Sequence, residues 1–436
     1  MFGHAPSRLR ARLIALASVA MVVLAACGGG GSDAGGGAAS EGAAAGGGEP
    51  VTLRYSWWGN ADRAELVEEA IAAFEEANPG ITVQGTFSDY EPYWQKISTE
   101  VAGGGAPDVL QMDYSYLREY GDRGALLDLN ELTGENLAVD DLLPGLEESG
   151  VVDGNLYGVA VGANTFALMY HPDLFAEVGV DPTEGLTWEE YDRAIADITD
   201  QTDRYGGTDY TGVFYVLQLK LRQQGKDMFT EDGELGFTEE ELVELWDSVS
   251  DLRSENKFVP PGDLVAIDPV SPLGGELVAS ELSWDNFMTR YVDESGGAPV
   301  AIAPIPTTGS GELGLYLKPS MLMSASANTE HPEEAAKLID WFANSAEVGR
   351  IMGANRGLPA TQAQRDAAEL EGVDAEVQAY EESVADQLAP PPPAPPAGAG
   401  TLEAEFIRLN EEINYGELSV EDAAAQFMAE AASTLG

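Results

Sequence analysis

Apolar and polar residues follow two different periods along the chain from residue 50 onward. Apolar residues at every second position predict strands, whereas apolar residues three and four positions apart predict helices. The predicted elements in this part are the strands 51–57, 81–87 and 108–112 and the helices 61–78 and 93–101. Because strands and helices alternate, we expect an α/β fold with a mainly parallel sheet.

The rest of the chain continues with extended and helical segments. Residues 157–170 form one long apolar run, and the segments 300–306 and 313–317 are strand-like. Thr187 and Thr238 each precede a Glu by three residues, which is the capping box that begins a helix. Further helices are predicted at 332–344, 363–370, 375–388, 402–413 and 420–432.

Residues 389–400 are rich in proline and interrupt the last helices. Proline-rich composition favours a stiff polyproline segment over a helix. A linker is one interpretation, but the periodic helices on both sides favour a loop that lies over the folded body.

The first 27 residues have the pattern of an export signal. Three arginines precede an uncharged apolar run over 13–26, which is shorter than the roughly 18–20 residues of a membrane-spanning helix. The segment LAAC ends at Cys27, the only cysteine of the chain, and resembles the lipobox of bacterial lipoproteins. We therefore expect a signal peptide over 1–26 and lipid attachment at Cys27; the alternative is an ordinary signal peptide with an incidental cysteine.

Residues 28–48 consist almost entirely of Gly, Ala, Ser, Asp and Glu. Such a segment buries too little apolar surface to offset its ordering entropy, so 27–49 is interpreted as a flexible tether. The body that follows is long enough for two domains, and without a second cysteine it has no intrachain disulfide. We expect it at the extracytoplasmic face of the cell membrane, held by the lipid.

The chain is strongly acidic, with a formal net charge of −53 and only 22 Lys and Arg residues against 75 Asp and Glu. Nucleic acid and anionic lipid are therefore poor partners, because binding them depends on Lys and Arg. The acidity has two interpretations, a specific cation-binding surface or a solvated coat suited to a salty medium that screens self-repulsion. The second is favoured by the even spread of acids.

Motifs for catalysis are absent from the sequence. The chain has three histidines and none of the zinc-protease, hydrolase-elbow or phosphate-loop motifs. A GxGxxG at Gly309, Gly311 and Gly314 precedes a strand rather than a helix, which argues against a dinucleotide site. Carboxylate pairs are too common in this chain to indicate a glycosidase. We therefore expect no catalytic residues, no metal and no cofactor.

Several stretches in a fixed order resemble the extracellular carbohydrate-binding proteins of ABC importers, the group similar to maltose-binding protein. They are LRYSWWG (53–59), FEEANPGITV (74–83), VAGGGAPDVLQMD (101–113), LYGVAVGANT (156–165), GLYLKPS (314–320), HPEEAA (331–336) and NRGLP (355–359). The order and spacing hold from about residue 50 to the end of the sequence.

This resemblance implies an α/β fold in the form of a two-lobed, periplasmic-binding-protein-like clamshell with crossing hinge strands, which closes on a sugar. The crossings are expected near 162–166, 313–317 and 344–349. The first lobe would combine 50–162 with 315–345, and the second lobe 163–314 with 346–436.

A sugar-binding cleft needs aromatic rings for the C–H faces of the sugar and planar polar groups for its hydroxyls. Trp57 and Trp58 end the first strand, where the cleft of an open α/β sheet lies, and the family pattern favours Trp58. The other candidates from the first lobe are Asn60, Asp89, Tyr90, Asp113 and Tyr114. The family places a sugar-binding acid at Asp113; the alternative roles are core packing for the tryptophans and helix capping for Asp89 and Asp113.

The remaining candidates come from the expected hinge and the second lobe. Trp284 matches a stacking ring of the family, with Asp285 and Asn286 as hydroxyl partners; the alternative is a core tryptophan. Asn164 lies at the first crossing and is equally compatible with a turn. Lys318 and Arg356 lie in family motifs, where they either bind hydroxyls or neutralise nearby acids.

The resemblance implies a monomeric binding protein that delivers a sugar, oligosaccharide or glycoside to ABC permease subunits with a separate cytoplasmic ATPase. A cell-surface glycosidase or another carbohydrate-active lipoprotein is the alternative from a different class, and a structural or adhesive lipoprotein is the third. The sequence does not name the sugar, its linkage or its length.

Overall fold

The computed structural model describes residues 50–309 and 311–435. The predicted signal peptide, Cys27 and the predicted tether lie outside these residues. No helix within the described ranges combines the length and the apolar character that crossing a bilayer requires.

Strands and helices alternate through the first part of the described chain, and helices dominate its end. The strands are β1 (Val51–Trp58), β2 (Ile81–Ser88), β3 (Val109–Met112), β4 (Val151–Val152), β5 (Asn155–Leu156), β6 (Val159–Asn164), β7 (Phe166–Tyr170), β8 (Ser280–Trp284), β9 (Ala301–Ala303) and β10 (Lys318–Ala325). The α-helices are α1 (Ala61–Ala77), α2 (Tyr90–Ala102), α3 (Tyr114–Asp122), α4 (Leu146–Ser149), α5 (Pro172–Glu177), α6 (Trp188–Gln201), α7 (Phe214–Arg222), α8 (Glu239–Asp247), α9 (Ser250–Ser254), α10 (Pro261–Ile267), α11 (Met288–Glu294), α12 (Pro332–Asn344), α13 (Ala346–Met352), α14 (Gln362–Ala368), α15 (Gly372–Val384), α16 (Ala399–Asn414) and α17 (Val420–Leu435).

The first lobe is built on a five-stranded sheet in the order β2-β1-β3-β10-β6. β1 pairs in parallel with β2 and β3, whereas β10 pairs antiparallel with β3 and β6. Parallel neighbours need a crossover connection, and here α1 and α2 provide it. Tyr55, Trp57, Phe74 and Phe342 are among the large side chains buried in the core of this lobe.

The second lobe contains a three-stranded antiparallel sheet in the order β8-β7-β9. Phe166, Phe175 and Tyr191 belong to the core around this sheet. A separate helical core is formed by α7, α8, α16 and α17, with Trp246 and Phe406 among its buried rings. The sequence did not predict this division of the second lobe into a sheet and a helical part.

Two chain crossings connect the lobes side by side. Asn164 ends β6 in the first sheet and Phe166 begins β7 in the second, so that Thr165 alone separates the two sheets. In the other crossing, Leu315 packs in the second core and Leu317 in the first. The hydroxyl of Thr165 donates a 3.1 Å hydrogen bond to the carbonyl oxygen of Tyr316, so the two crossings are directly bonded to each other.

The chain returns to the second lobe later than the sequence indicated. The expected boundary after residue 345 assigned α13 to the second lobe, but Val348 and Met352 of this helix pack in the first core. Ala354 packs against the second core, and Leu358 is the next fully buried member of that core along the chain. The assignment of residues 346–352 to the second lobe was therefore wrong, because the apolar face of α13 is buried beside α1 and α12.

Two strand predictions also needed correction. The run 157–170 is two strands in different sheets rather than one. Residues 313–317 are not a strand; the strand begins afterwards, at Lys318. Side chains bond the carbonyl oxygens of this run instead of a neighbouring strand: Gln223 bonds that of Leu313, and Arg222 bonds that of Gly314.

Several local predictions were confirmed. The first strand, the first helix and the second strand occur as β1, α1 and β2, within one residue of the expected ends. Both capping boxes are present, at the starts of α6 and α8. These elements depend on signals between near neighbours in the sequence, which explains why they were predicted well.

Candidate functional site

An aromatic cluster forms the first-lobe side of the site at the carboxyl end of β1. The Trp58 ring lies 5.4 Å from the Tyr90 ring and 5.3 Å from the Tyr93 ring, measured between ring centroids. Trp57 points the other way, into the core against Tyr55, as the alternation of a strand requires. Trp58 is itself 7 % exposed, so it supports the site mainly through its contact with the more open Tyr90.

Tyr90 and Asp113 come together from neighbouring loops at this end of the sheet. The Tyr90 hydroxyl donates a 3.2 Å hydrogen bond to Asp113 Oδ2. The other oxygen, Oδ1, accepts a 2.8 Å bond from the backbone N–H of Ser115 and caps α3. Asp113 therefore caps α3 with one oxygen and accepts from Tyr90 with the other, and its binding of a sugar stays a prediction.

Asn60 and Asp89 occupy the N-caps of α1 and α2 and are exposed. Asn60 Oδ1 accepts a 2.9 Å hydrogen bond from the N–H of Arg63, which leaves its amide NH₂ available. The side chain of Asp89 makes no capping bond.

Trp284 forms the second-lobe side of the site at the end of β8. It lies 5.2 Å from the Phe166 ring and 4.9 Å from the Tyr215 ring, both edge to face. The ammonium group of Lys318 lies 5.3 Å from the centre of the indole, a distance at which a cation is attracted to an aromatic face. Trp284 is partly exposed and therefore presents part of its ring.

Charged and hydroxyl groups of both lobes lie close enough to influence one another's pKa. Burial raises the pKa of Tyr215, and the nearby carboxylates of Glu403 and Asp113 raise it further. Burial likewise raises the pKa of Glu403, against the effect of the Lys318 cation, while Asp113 adds to the increase. Asp113 of the first lobe thus shares one electrostatic environment with Tyr215, Glu403 and Lys318.

A cavity lies beside this polar group, and we name it the tyrosine cavity. It is lined among others by Tyr114, Tyr215, Tyr316, Lys318, Pro392 and Glu403. Tyr114 is buried, and its hydroxyl donates a 2.9 Å hydrogen bond to the carbonyl oxygen of Pro392. Its ring therefore faces the cavity while its hydroxyl is already bonded.

A second cavity, the asparagine cavity, is lined among others by Arg63, Asn164, Asn286, Ser320, Asn355 and Asp374. Asn164 of β6 pairs with Lys318 of β10. Asn164 lines the asparagine cavity and Lys318 lines the tyrosine cavity, so the two cavities lie on either side of one residue pair. Asn164 is buried, and its Oδ1 has no hydrogen-bond partner within the described residues. Buried acceptors are normally bonded, which makes Asn164 a candidate to receive a ligand hydroxyl.

Gly357 makes this position of Asn164 possible. A Cβ atom on Gly357 would lie 2.6 Å from Asn164 Oδ1, and the backbone φ of Gly357 is +85°. A side chain would therefore clash and also strain the backbone. This glycine belongs to the NRGLP stretch that contributed to the family resemblance.

Asp285 and Arg356 both line the asparagine cavity, but each is largely buried and bonded within the protein. Asp285 is buried, accepts a 2.8 Å hydrogen bond from the N–H of Thr165 and interacts with the buried Glu381. The Arg356 side chain is buried in the first lobe, where Nη2 donates a 3.3 Å bond to the carbonyl oxygen of Phe342. Burial lowers the pKa of Arg356 to about 10. The environment of both groups favours structural roles.

Sequence reasoning missed Tyr215, Tyr316 and Glu403. Tyr215 and Glu403 lie on helices of the second lobe, and neither belongs to a recognisable motif. Tyr316 lies in the GLYLKPS stretch that was taken for a strand. A tyrosine or glutamate on a helix gives no signal of its own, because its neighbours in the site are distant in sequence.

The described residues contain no set of side chains that would bind a metal ion. No group of three or more His, Cys, Asp and Glu side chains in residues 50–309 and 311–435 is arranged to hold an ion. Each ring nitrogen of His171 lies within hydrogen-bond distance of a carbonyl oxygen, that of Pro299 at 2.8 Å and that of Leu273 at 3.1 Å. It packs as a structural residue at the start of α5.

The structure has two α/β lobes that are joined by adjacent crossings. Aromatic and polar side chains line the lobes where they meet. This architecture is that of a two-lobed solute-binding protein. The sequence profile of the family described as bacterial extracellular solute-binding protein matches residues 58–348. The chain belongs to this family, which consists of binding proteins and places it outside the cytoplasm.

Similarity to individual proteins agrees with this family. The chain is 30% identical over 304 residues to a mannitol-binding protein of Pseudomonas aeruginosa, covering 65% of this chain and 67% of that protein. A solved family 1 extracellular solute-binding protein of Alicyclobacillus acidocaldarius has a TM-score of 0.74 at 29% identity, covering 89% of this chain and 99% of that one. An oligogalacturonide-binding protein of Yersinia enterocolitica has a TM-score of 0.74 at 22% identity, over 87% of this chain and 97% of that one; this shows a common fold.

Proposed function

We propose that this protein captures a neutral sugar, polyol or short oligosaccharide between its lobes and delivers it to ABC permease subunits, with the ATPase on a separate chain. The observation that supports this most directly is the meeting of Asp113 from the first lobe with Tyr215, Glu403 and Lys318 beside the Trp284 ring. The mannitol-binding relative supports a polyhydroxy ligand.

The chemistry of the site suits a ligand with many hydroxyl groups. Aromatic faces pack against the C–H surface of a sugar ring, and carboxylates accept hydrogen bonds from its hydroxyls. Lys318 and the amide of Asn286 are donors. Groups of this kind do not bind purely apolar ligands well, because their polar atoms would be left unbonded.

Charge argues for a neutral ligand over an acidic one. Asp113 and Glu403 are two carboxyl groups beside one cation, Lys318. A uronic acid at this position would face like charge, which disfavours binding. We therefore expect neutral sugars or polyols to bind in preference to galacturonides, the ligands named for the Yersinia protein.

A thermal-shift screen tests the proposed ligand class. Neutral mono-, di- and oligosaccharides, polyols and their uronic-acid counterparts are added to the purified body, and each stabilising compound is then titrated by calorimetry. We expect a neutral compound to raise Tm, since a ligand of the folded state alone stabilises it. If no sugar or polyol stabilises the protein at millimolar concentration, the proposed function is wrong.

A pair of tryptophan variants then tests the position of the site. Trp284→Ala removes the ring beside Lys318, and Trp341→Ala removes a partly buried ring of α12, whose indole N–H bonds Ala70. Both variants lose packing, but only Trp284→Ala should lose ligand affinity, by about tenfold or more for a lost stacking ring. Equal affinities in the two variants would place the ligand elsewhere.

We also propose that the mature protein is a monomer held to the membrane by lipid on Cys27, with residues 27–49 as its tether. The sequence around Cys27 supports this interpretation. Expression of the full chain and of Cys27→Ser in a lipidating bacterial host tests it by detergent-phase partitioning. The wild type should enter the detergent phase; a wild type that stays in the aqueous phase would contradict the lipid anchor.

A further inference from the structure

Residues 389–396, which we name the proline strap, connect α15 to α16. Six of these eight residues are proline, and proline has no N–H and a restricted φ. The strap therefore cannot pair as a strand, but its carbonyl oxygens are free to accept hydrogen bonds. At its start, the N–H of Ala389 donates a 2.8 Å bond to the carbonyl oxygen of Leu315 at the crossing between the lobes.

The middle of the strap is fixed to the first lobe. The carbonyl oxygen of Pro392 accepts the 2.9 Å hydrogen bond from the Tyr114 hydroxyl. Ala394 is buried in the first core, and its carbonyl accepts a 3.4 Å bond from Nε of Arg118. Tyr114 and Arg118 both belong to α3, which begins at the site acid Asp113.

The start of the strap is also fixed to the second lobe. Nη2 of Arg222, the last residue of α7, donates a 2.5 Å hydrogen bond to the carbonyl oxygen of Pro390. The guanidinium of Arg222 lies 5.0 Å from the centre of the Tyr316 ring and also bonds Gly314. The strap thus spans both lobes and is held by one arginine on each.

The strap forms a wall of the tyrosine cavity. Pro392, Pro393 and Pro395 line it together with Tyr215 and Lys318, two residues of the proposed sugar site. The asparagine cavity has no strap residue in its lining. A ligand that lies across the site is therefore blocked at the end where the prolines stand.

We propose that the proline strap is the element that limits ligand length. It closes the tyrosine-cavity end of the site, so that a ligand ends there and extends only toward Asn164. The inference rests on the proposed function, since it assumes a ligand with repeating units. The stiffness of consecutive prolines matters because a flexible loop would move aside for a longer ligand.

End-labelled ligands test the wall in the wild-type protein. The sugar identified by the thermal-shift screen is prepared with a bulky aromatic group at its reducing end or at its non-reducing end. The wall predicts that one of the two labelled forms loses affinity by about a hundredfold, while the other changes by less than about fivefold. Equal tolerance, or equal loss, at the two ends would overturn the proposal.

A strap variant tests which residues form the wall. The triple variant P392G/P393G/P395G makes the wall flexible, and the control P182G/P260G removes two prolines from helix starts of the second lobe, with the same kind of entropic cost for each residue. The strap variant should bind the blocked end-labelled sugar at least about tenfold better than the control does. A folded strap variant that still rejects this ligand contradicts the proposal.

The two proposals fail in different ways. If the wild type binds no sugar or polyol, the proposed function itself is wrong. If the wild type binds sugar but both ends of the ligand tolerate labels equally, only the strap inference is wrong. Should the glycine variant unfold, the end-labelled ligands on the wild type still decide.

Discussion

The carboxylate of Asp285 accepts a 2.8 Å hydrogen bond from the backbone N–H of Thr165, the single residue between the sheets of the two lobes. Asp285 is 1 % exposed, and the nearby Glu381, which is 3 % exposed, raises the pKa of Asp285. Nη2 of Arg365 lies 2.6 Å from Oε2 of Glu381. Two acids and one cation are therefore buried beside this crossing between the lobes.

Replacing Arg365 by Met should destabilise the protein strongly. Without the guanidinium, two carboxyl groups remain buried with no cation, and losing one partner of a buried pair costs about 3–5 kcal/mol. The control Arg350→Met removes the exposed ion pair with Glu347, for which we expect about 0–1 kcal/mol. Urea denaturation measures both, and similar losses in the two variants would contradict a structural role for the buried cluster.

The pH dependence of stability should be smaller in Asp285→Asn. Burial raises the pKa of Asp285 well above its usual range, and Glu381 raises it further. The folded protein therefore holds a proton that the unfolded chain releases near pH 4, so this contribution is present at low pH and is lost as pH rises through the folded-state pKa.

The asparagine of Asp285→Asn keeps an acceptor for Thr165 and cannot ionise. The free energy of unfolding of this variant should therefore fall less between pH 5 and 8 than that of the wild type. The difference between the two slopes should be up to about 1.4 kcal/mol per pH unit. Asp203→Asn, at an exposed position, should follow the wild type. Parallel curves for Asp285→Asn and the wild type would show that the acid pair does not hold a proton in the fold.

The parts of the fold that were predicted well depend on local signals. The alternation in β1, the spacing in α1 and the capping boxes of α6 and α8 involve residues only a few positions apart. β10 was missed because Pro319 interrupts its pairing with β6, where the register shifts between Pro319 and Met321. The division of the second lobe required contacts of α7 and α8 with the last two helices, which no local pattern reveals.

The candidate site residues likewise differ in whether local sequence signals or contacts between distant residues place them. Trp58, Asp113 and Trp284 follow strand ends, and the rule for open α/β sheets places ligands there. The sequence did not predict the burial of Asp285 and Arg356, which line the asparagine cavity but are bonded mainly within the protein. Glu403 is distant in sequence from Asp113 and Lys318, so their meeting follows only from the path of the strap and α16.

Salt should stabilise the protein. With a net charge of −53, repulsion between exposed acids destabilises the compact state, and the Debye length falls from about 30 Å at 0.01 M to about 3 Å at 1 M salt. We expect Tm to rise by several degrees between 10 mM and 1 M NaCl in unliganded protein, measured by calorimetry. A flat or falling Tm would contradict the interpretation of the acidity as an adaptation to salty media.

Replacing Tyr215 by Phe should weaken ligand binding without destabilising the fold. The Tyr215 hydroxyl makes no hydrogen bond within the described residues and faces Glu403 and Asp113, whereas its ring contact with Trp284 is kept in phenylalanine. A neutral hydrogen bond contributes about 0.5–1.5 kcal/mol, so affinity for the sugar should fall by about two- to twelvefold.

Tyr191→Phe is the matched control for Tyr215→Phe, because the Tyr191 hydroxyl bonds Ser280 at 2.9 Å inside the second core. Its loss leaves a buried serine with one partner fewer and should lower stability by about 1 kcal/mol, with affinity unchanged. Calorimetric titration and urea denaturation of both variants give the two quantities. If Tyr215→Phe loses stability and keeps its affinity, the hydroxyl belongs to the fold, and the polar group between the lobes is not the ligand site.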